Sequence, residues 1–155
     1  RIVANLPYNI ATALLIAWLR RIGDFESLTL MFQKEVVDRL SARPRQKDYG
    51  RLSIITQWLC AVRPEFNVDK RAFTPPPKVA SSVVTLTPHP QPLAPAEWSA
   101  LETITAAAFG QRRKMLRASL KRLNLDLEAL GVDPTARAEE LSVETFCALA
   151  RALRS

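Results

Sequence analysis

Residues 1–87 alternate short apolar runs of strand length with segments of helical character, and that alternation restricts the chain to an α/β sheet fold. Arg1–Ala4 is a strand, and Thr12–Arg21 is an apolar helix ended by Gly23. The unbroken apolar run Leu28–Phe32 predicts a strand covered on both faces. Lys34–Ala42 is a charged helix with Val36, Val37 and Leu40 inward, followed by a basic loop that Gly50 closes. Leu52–Cys60 is helical, and Ala61–Val68 is a strand that Pro64 confines to an edge or bend. Phe73-Thr74-Pro75-Pro76-Pro77 is extended and stiff, because each proline also restricts the residue before it. Ser82–Thr87 closes the series as a strand with Val84 and Leu86 on one face. Together these elements amount to half of a doubly wound α/β sheet.

Four prolines fall between Pro88 and Pro95, a semi-rigid spacer and the best domain boundary in the chain. Beyond it the pattern is helical, over Ala96–Phe109, Arg112–Leu123, Leu125–Leu130 and Val143–Leu153, with breaks at Gly110 and Gly131–Pro134. The expected division is residues 1–89 and residues 90–155, the second a small all-α domain.

Charge separates these parts. Residues 1–95 carry 13 Lys or Arg against 7 Asp or Glu, and residues 96–155 carry 9 against 8. Six of those nine, Arg112, Arg113, Lys114, Arg117, Lys121 and Arg122, lie in a stretch with no acid, which points to a polyanion-docking surface. The overall net charge of +7 points the same way. No apolar stretch approaches membrane-spanning length. Cys60 and Cys147, far apart and without Cys-x-x-Cys spacing, read as buried thiols of a cytoplasmic protein. The single histidine, His89, sits between two prolines, so no metal and no His-based nucleophile is expected.

The strand at the start runs directly into Asn5-Leu6-Pro7-Tyr8. The Asn5 side-chain oxygen and the Leu6 carbonyl are two acceptors able to hold an exocyclic amino group. Pro7 stiffens the loop, and Tyr8 offers a face on which a flipped base can stack. The same residues also suit a strand-end turn with a buried tyrosine. Phe73 has two readings as well: a core aromatic, or a ring on a stiff loop that completes a stacking clamp with Tyr8.

Five blocks occur together in this order: Asn5-Leu6-Pro7-Tyr8-Asn9-Ile10, Met31-Phe32-Gln33-Lys34-Glu35-Val36, Tyr49-Gly50-Arg51-Leu52-Ser53, Phe73-Thr74-Pro75-Pro76-Pro77-Lys78-Val79 and Phe109-Gly110-Gln111-Arg112-Arg113-Lys114. The series resembles the KsgA-type ribosomal RNA adenine dimethyltransferases through essentially the whole chain. The resemblance implies the C-terminal part of a Rossmann-like methyltransferase sheet followed by a small helical domain. It implies an enzyme that uses S-adenosylmethionine to dimethylate N6 of two adjacent adenines near the 3′ end of small-subunit rRNA, with the immature small ribosomal subunit as partner. Asn5, Leu6, Pro7 and Tyr8 would then be catalytic, with Asn5 also near the methyl donor. Tyr8 and Phe73 would sandwich the base, and Arg112 to Arg122 would bind RNA. Ala80 stands where the family often has Asp, and Ala118 where a polar residue is frequent.

The Gly-rich turn and ribose-binding acids of such enzymes have no counterpart among the four glycines here. The cofactor half is therefore expected upstream of Arg1, and the chain alone is expected to be inactive. Two alternatives are the related erythromycin-resistance methyltransferases, which usually carry Ile where Leu6 stands, and a non-catalytic RNA-binding ribosome-assembly or transcription factor of the same fold.

Overall fold

The computed structural model describes residues 1–153. Its order is β1 (Ile2–Asn5), α1 (Ala11–Leu19), β2 (Leu28–Gln33), α2 (Lys34–Ser41), α3 (Arg51–Leu59), β3 (Cys60–Val68), β4 (Ser81–Pro88), α4 (Trp98–Gly110), α5 (Leu116–Ser119) and α6 (Val143–Leu153), with short 3-10 turns between. The sheet order is β1-β2-β4-β3. β1 and β2 are parallel, and β4 is antiparallel to both of its neighbours. β3 therefore runs with β1 and β2, and three strand carboxyl ends meet the start of β4 at one end of the sheet.

Period-two burial fixes which face of the sheet is sealed. Leu28, Leu30 and Phe32 of β2 and Val84 and Leu86 of β4 are fully buried, while Thr29, Met31, Val83 and Thr85 are half-buried. α1 buries Ala11, Leu15 and Leu19 at a spacing of four, one stripe of a helix. Complete burial of a leucine such as Leu15 contributes about 1.5–3 kcal/mol. α2 adds Val37 and Leu40, and α3 adds Ile54, Ile55, Trp58 and Leu59. The same cluster continues through Leu101 and Ile104 of α4 to Phe146 and Leu149 of α6.

The proline-rich spacer lies along α3 instead of hanging free. The His89 and Leu93 amides donate to the Leu59 and Trp58 carbonyls at 2.9 and 2.8 Å, and the Trp58 indole donates to the Ala94 carbonyl at 2.7 Å. Between the two parts, Arg20 pairs with Glu102 at 3.0 Å and lies 4.5 Å from the Trp98 ring centroid.

β1, β2, α1, α2, α3, α4, α6 and β4 lie within two residues of the spans read from the sequence. β3 is an edge strand whose register shifts between Pro64 and Phe66, as its proline requires. Three expectations are corrected. β2 is sealed on one face; on the other, Val3, Thr29, Met31, Phe66, Val83 and Thr85 border an open groove of about 490 Å³, and Val3 is 81% exposed. Residues 125–130 form turns, not a helix, with the Val132 amide bonded to the Leu127 carbonyl and Gly131 at a φ of 74°.

The span 112–123 is likewise not one helix. Gln111–Lys114 is a turn, Met115 is extended, α5 has four residues, and Lys121–Leu123 is a 3-10 turn. Met115 is drawn into a bridge with Arg137, and the Leu116 and Arg117 amides donate to the Ala136 and Pro134 carbonyls. Like charges four apart, Arg113 with Arg117 and Arg117 with Lys121, also disfavour a continuous helix. Leu116 and Leu120 are buried in the core, whereas Met115 is 39% exposed.

Candidate active site

β1 ends at Asn5, opposite Met31 of β2, and the chain leaves the sheet there. Leu6 turns its side chain into the core at 7% exposure, which anchors the loop from beneath. The Pro7 carbonyl accepts from the Ile10 amide at 3.2 Å, closing a tight turn that leads into α1. Asn5 is exposed, and among the described residues its side chain has no hydrogen-bond partner. Among the described residues the Leu6 carbonyl likewise accepts no backbone amide. Both acceptors predicted for an amino group are thus free at the carboxyl end of a strand, where ligands of open α/β sheets bind.

Tyr8 is not a buried core tyrosine. It is 37% exposed, and its hydroxyl is hydrogen-bonded to Oγ of Ser81, the first residue of β4. β2 lies between β1 and β4, so the loop carrying Tyr8 crosses the end of β2, a span of roughly 10 Å at ordinary strand spacing. Ser81 pairs with Gln33 on one side and Val68 on the other, and the neighbouring Ala80 carbonyl accepts from the Lys34 amide at 3.0 Å.

Phe73 follows β3 on the loop that returns to Ser81. Asp69 caps a 3-10 turn at Lys70–Ala72 by accepting from the Arg71 amide at 2.8 Å, and Arg71 holds the Asp69 carboxyl below its usual range. Phe73 then enters the extended proline run, with a cis Thr74–Pro75 bond. It is half-buried and stands outside the hydrophobic cluster of the core. Neither Tyr8 nor Phe73 packs against another aromatic ring among the described residues; Tyr8 is exposed and Phe73 half-buried. Tyr8 and Phe73 leave the same end of the sheet.

The six basic residues between 112 and 122 are all exposed. Arg112 donates to the Lys47 carbonyl at 2.7 Å and lies 5.9 Å from the Phe109 ring centroid, so it also ties the helical part to the loop before α3. Arg113, Lys114, Arg117, Lys121 and Arg122 form no ion pair with any described carboxylate. Sequence reasoning missed two residues. Ser81 lies just past the Phe73–Val79 block and one residue before the strand read from Ser82, with nothing local to mark its hydroxyl, and the buried Tyr49 showed no sign of its long-range partner.

The residues present fit the methyl-transfer end of S-adenosylmethionine, through the free Asn5 amide beside the open groove. None of the four glycines directly follows a strand.

A sheet of this order with an Asn-Leu-Pro-Tyr loop at its carboxyl end defines part of a Rossmann-like methyltransferase domain. The family of ribosomal RNA adenine dimethylases matches residues 1–155, and the chain belongs to that family. Ribosomal RNA small subunit methyltransferase A of Paramagnetospirillum magneticum is 70% identical over 99% of this chain and 56% of its own length. That of Rhodospirillum rubrum is 69% identical, over 99% and 54%. The chain thus spans a little over half the length of these relatives. Among solved structures, a dimethyladenosine transferase from Plasmodium falciparum superposes with a TM-score of 0.83 at 28% identity, over 96% of this chain and 65% of that one. The 23S rRNA methyltransferase ErmE superposes with a TM-score of 0.66 at 28% identity, over 99% and 64%.

Proposed function

We infer that this chain carries the substrate loop and RNA-docking part of an enzyme that dimethylates N6 of two adjacent adenines near the 3′ end of 16S rRNA. Its partner is the immature small ribosomal subunit in the cytoplasm. Residues 1–89 supply the catalytic part and residues 90–155 the docking part. The observation that carries this reading is the pair of unpartnered acceptors at Asn5 and Leu6, next to a tyrosine whose hydroxyl is tethered and whose face is open.

The adenine N6 is a poor nucleophile because its lone pair is delocalised into the ring. Acceptance of its two N–H groups by the Asn5 side-chain oxygen and the Leu6 carbonyl favours a pyramidal nitrogen, with its lone pair directed away from those acceptors. Pro7 keeps the acceptors rigid, so little reorganisation accompanies the reaction. Tyr8 and Phe73 hold the flipped base between their faces, which compensates the lost stacking in the RNA. S-adenosylmethionine, when bound, supplies an electrophilic methyl group, and most of its site belongs to residues outside these 155. Orientation and electrostatics provide most of the rate. The methylated nitrogen is acidic and releases its proton to water, so no histidine or carboxylate is needed in the loop. Arg113, Lys114, Arg117, Lys121 and Arg122 neutralise rRNA phosphates, with Arg112 divided between that task and the seam with Lys47.

The test is methylation of immature small subunits by the full-length protein. Two methyl groups on N6 of each of two neighbouring adenines are expected. Transfer to large-subunit RNA, or no transfer, overturns the reading.

A further inference from the structure

We propose that Ser81 is a positioning residue for methyl transfer, its buried hydroxyl holding the Tyr8 phenol so that the ring stands where the target adenine stacks. This rests on the reading of Tyr8 as a stacking residue. A tyrosine attached only through its Cα on an exposed loop retains side-chain freedom that must be lost each time a base docks. Here the far end of the ring is tied down while its face is open, so that ordering is already complete before the RNA arrives.

The anchor is itself rigid. Ser81 is fully buried, its backbone is paired on both sides, and the preceding carbonyl is bonded to the first residue of α2. The adjacent Ser82 offers a contrast: its hydroxyl is satisfied locally by the Phe66 carbonyl at 3.3 Å. Ser81 instead spends its hydroxyl on a side chain 73 residues away, across the end of an intervening strand. Ser81 also ends the loop that carries Phe73. One hydroxyl therefore joins the two loops that supply the aromatic rings, so displacement of either loop moves both halves of the clamp.

The experiment compares Ser81→Ala, Tyr8→Phe and the double variant in the full-length protein. Single-turnover methylation is measured on small subunits, alongside fluorescence of a short RNA carrying 2-aminopurine at the target position. Each single variant should lower the rate by about 10-fold, within the range expected for a small misplacement of reacting groups. Each should also weaken the stacking quench of the flipped 2-aminopurine. The double variant should be no slower than either single one, because all three remove the same bond. Subunit affinity, set elsewhere, should not move.

A wild-type rate and quench in Ser81→Ala, or losses that multiply in the double variant, overturn the proposal. If Ser81→Ala does not fold, Tyr8→Phe, altered at an exposed side chain, decides the matter: an undiminished rate overturns it. Tyr8→Ala separates this role from the underlying reading. A rate no lower than that of Tyr8→Phe removes the stacking role itself. A deeper loss in Tyr8→Ala with wild-type behaviour in Ser81→Ala removes the role of Ser81 alone.

Discussion

The Tyr49 hydroxyl donates to the Leu141 carbonyl at 2.7 Å, joining residues 92 positions apart and pinning the loop before α3 to the turn before α6. Tyr49 is fully buried and meets the Phe109 ring edge-on, with 6.3 Å between centroids. Phe109 in turn packs on Phe146. Around this aromatic column, the Arg45 amide donates to the Glu139 carbonyl at 2.6 Å and the Arg112 guanidinium to the Lys47 carbonyl. The basic segment is thereby held in a fixed position relative to the sheet and the Tyr8 loop.

Tyr49→Phe removes the donor and leaves the Leu141 carbonyl buried without a partner. The expected cost is about 1–3 kcal/mol of stability. A urea titration of the full-length variant checks this, and an unchanged midpoint contradicts it.

Burial also sets an alkaline limit on stability. It pushes the Cys60 thiol from its ordinary 9.0 up to about 12, and Cys147 up to about 11. The Tyr49 phenol moves the same way, above its ordinary 10.0. The folded chain therefore retains protons that the unfolded chain releases. Their contribution to stability is complete below pH 9 and is lost progressively as pH rises from there toward 12. Unfolding midpoints measured across that window should fall steadily, and a flat profile contradicts the assignment.

The sheet elements were legible because their signals are local. Leu28, Leu30 and Phe32, or Ala11, Leu15 and Leu19, reveal strand and helix by spacing alone. Pro64 announced an edge strand because it cannot donate to a ladder. The 112–123 segment was misread because its helical spacing of leucines is overridden by a tertiary bridge from Met115 to Arg137. Of the candidate site, Asn5-Leu6-Pro7-Tyr8 could be singled out from the sequence, since its acceptors are contiguous in the chain. The Tyr8–Ser81 and Tyr49–Leu141 bonds were not, because no periodicity encodes a partner 73 or 92 residues away.

Reversing Arg113 and Arg117 to Glu should weaken binding to the small subunit and flatten its salt dependence. Both side chains are exposed and without an acidic partner among the described residues. On duplex nucleic acid each phosphate contact contributes about 0.9 to the slope of log affinity against log salt, so losing two should flatten it by roughly 2. An unchanged affinity and slope contradict a docking role for this segment.

The 155-residue chain by itself should show no saturable binding of S-adenosylmethionine, because it offers the Asn5 amide and no glycine turn after a strand. Calorimetry is the check, and a micromolar site on this chain contradicts the placement of the cofactor.

The central claim is that Asn5 acts on the nitrogen as it becomes pyramidal, more than on the bound ground state. Asn5→Ala in the full-length protein tests it most directly, by single-turnover methylation and subunit affinity measured side by side. The rate should fall roughly 10²-fold or more, the cost of removing one preorganised polar contact from a reacting centre, with affinity nearly unchanged. A near-normal rate, or a loss confined to affinity, contradicts the account.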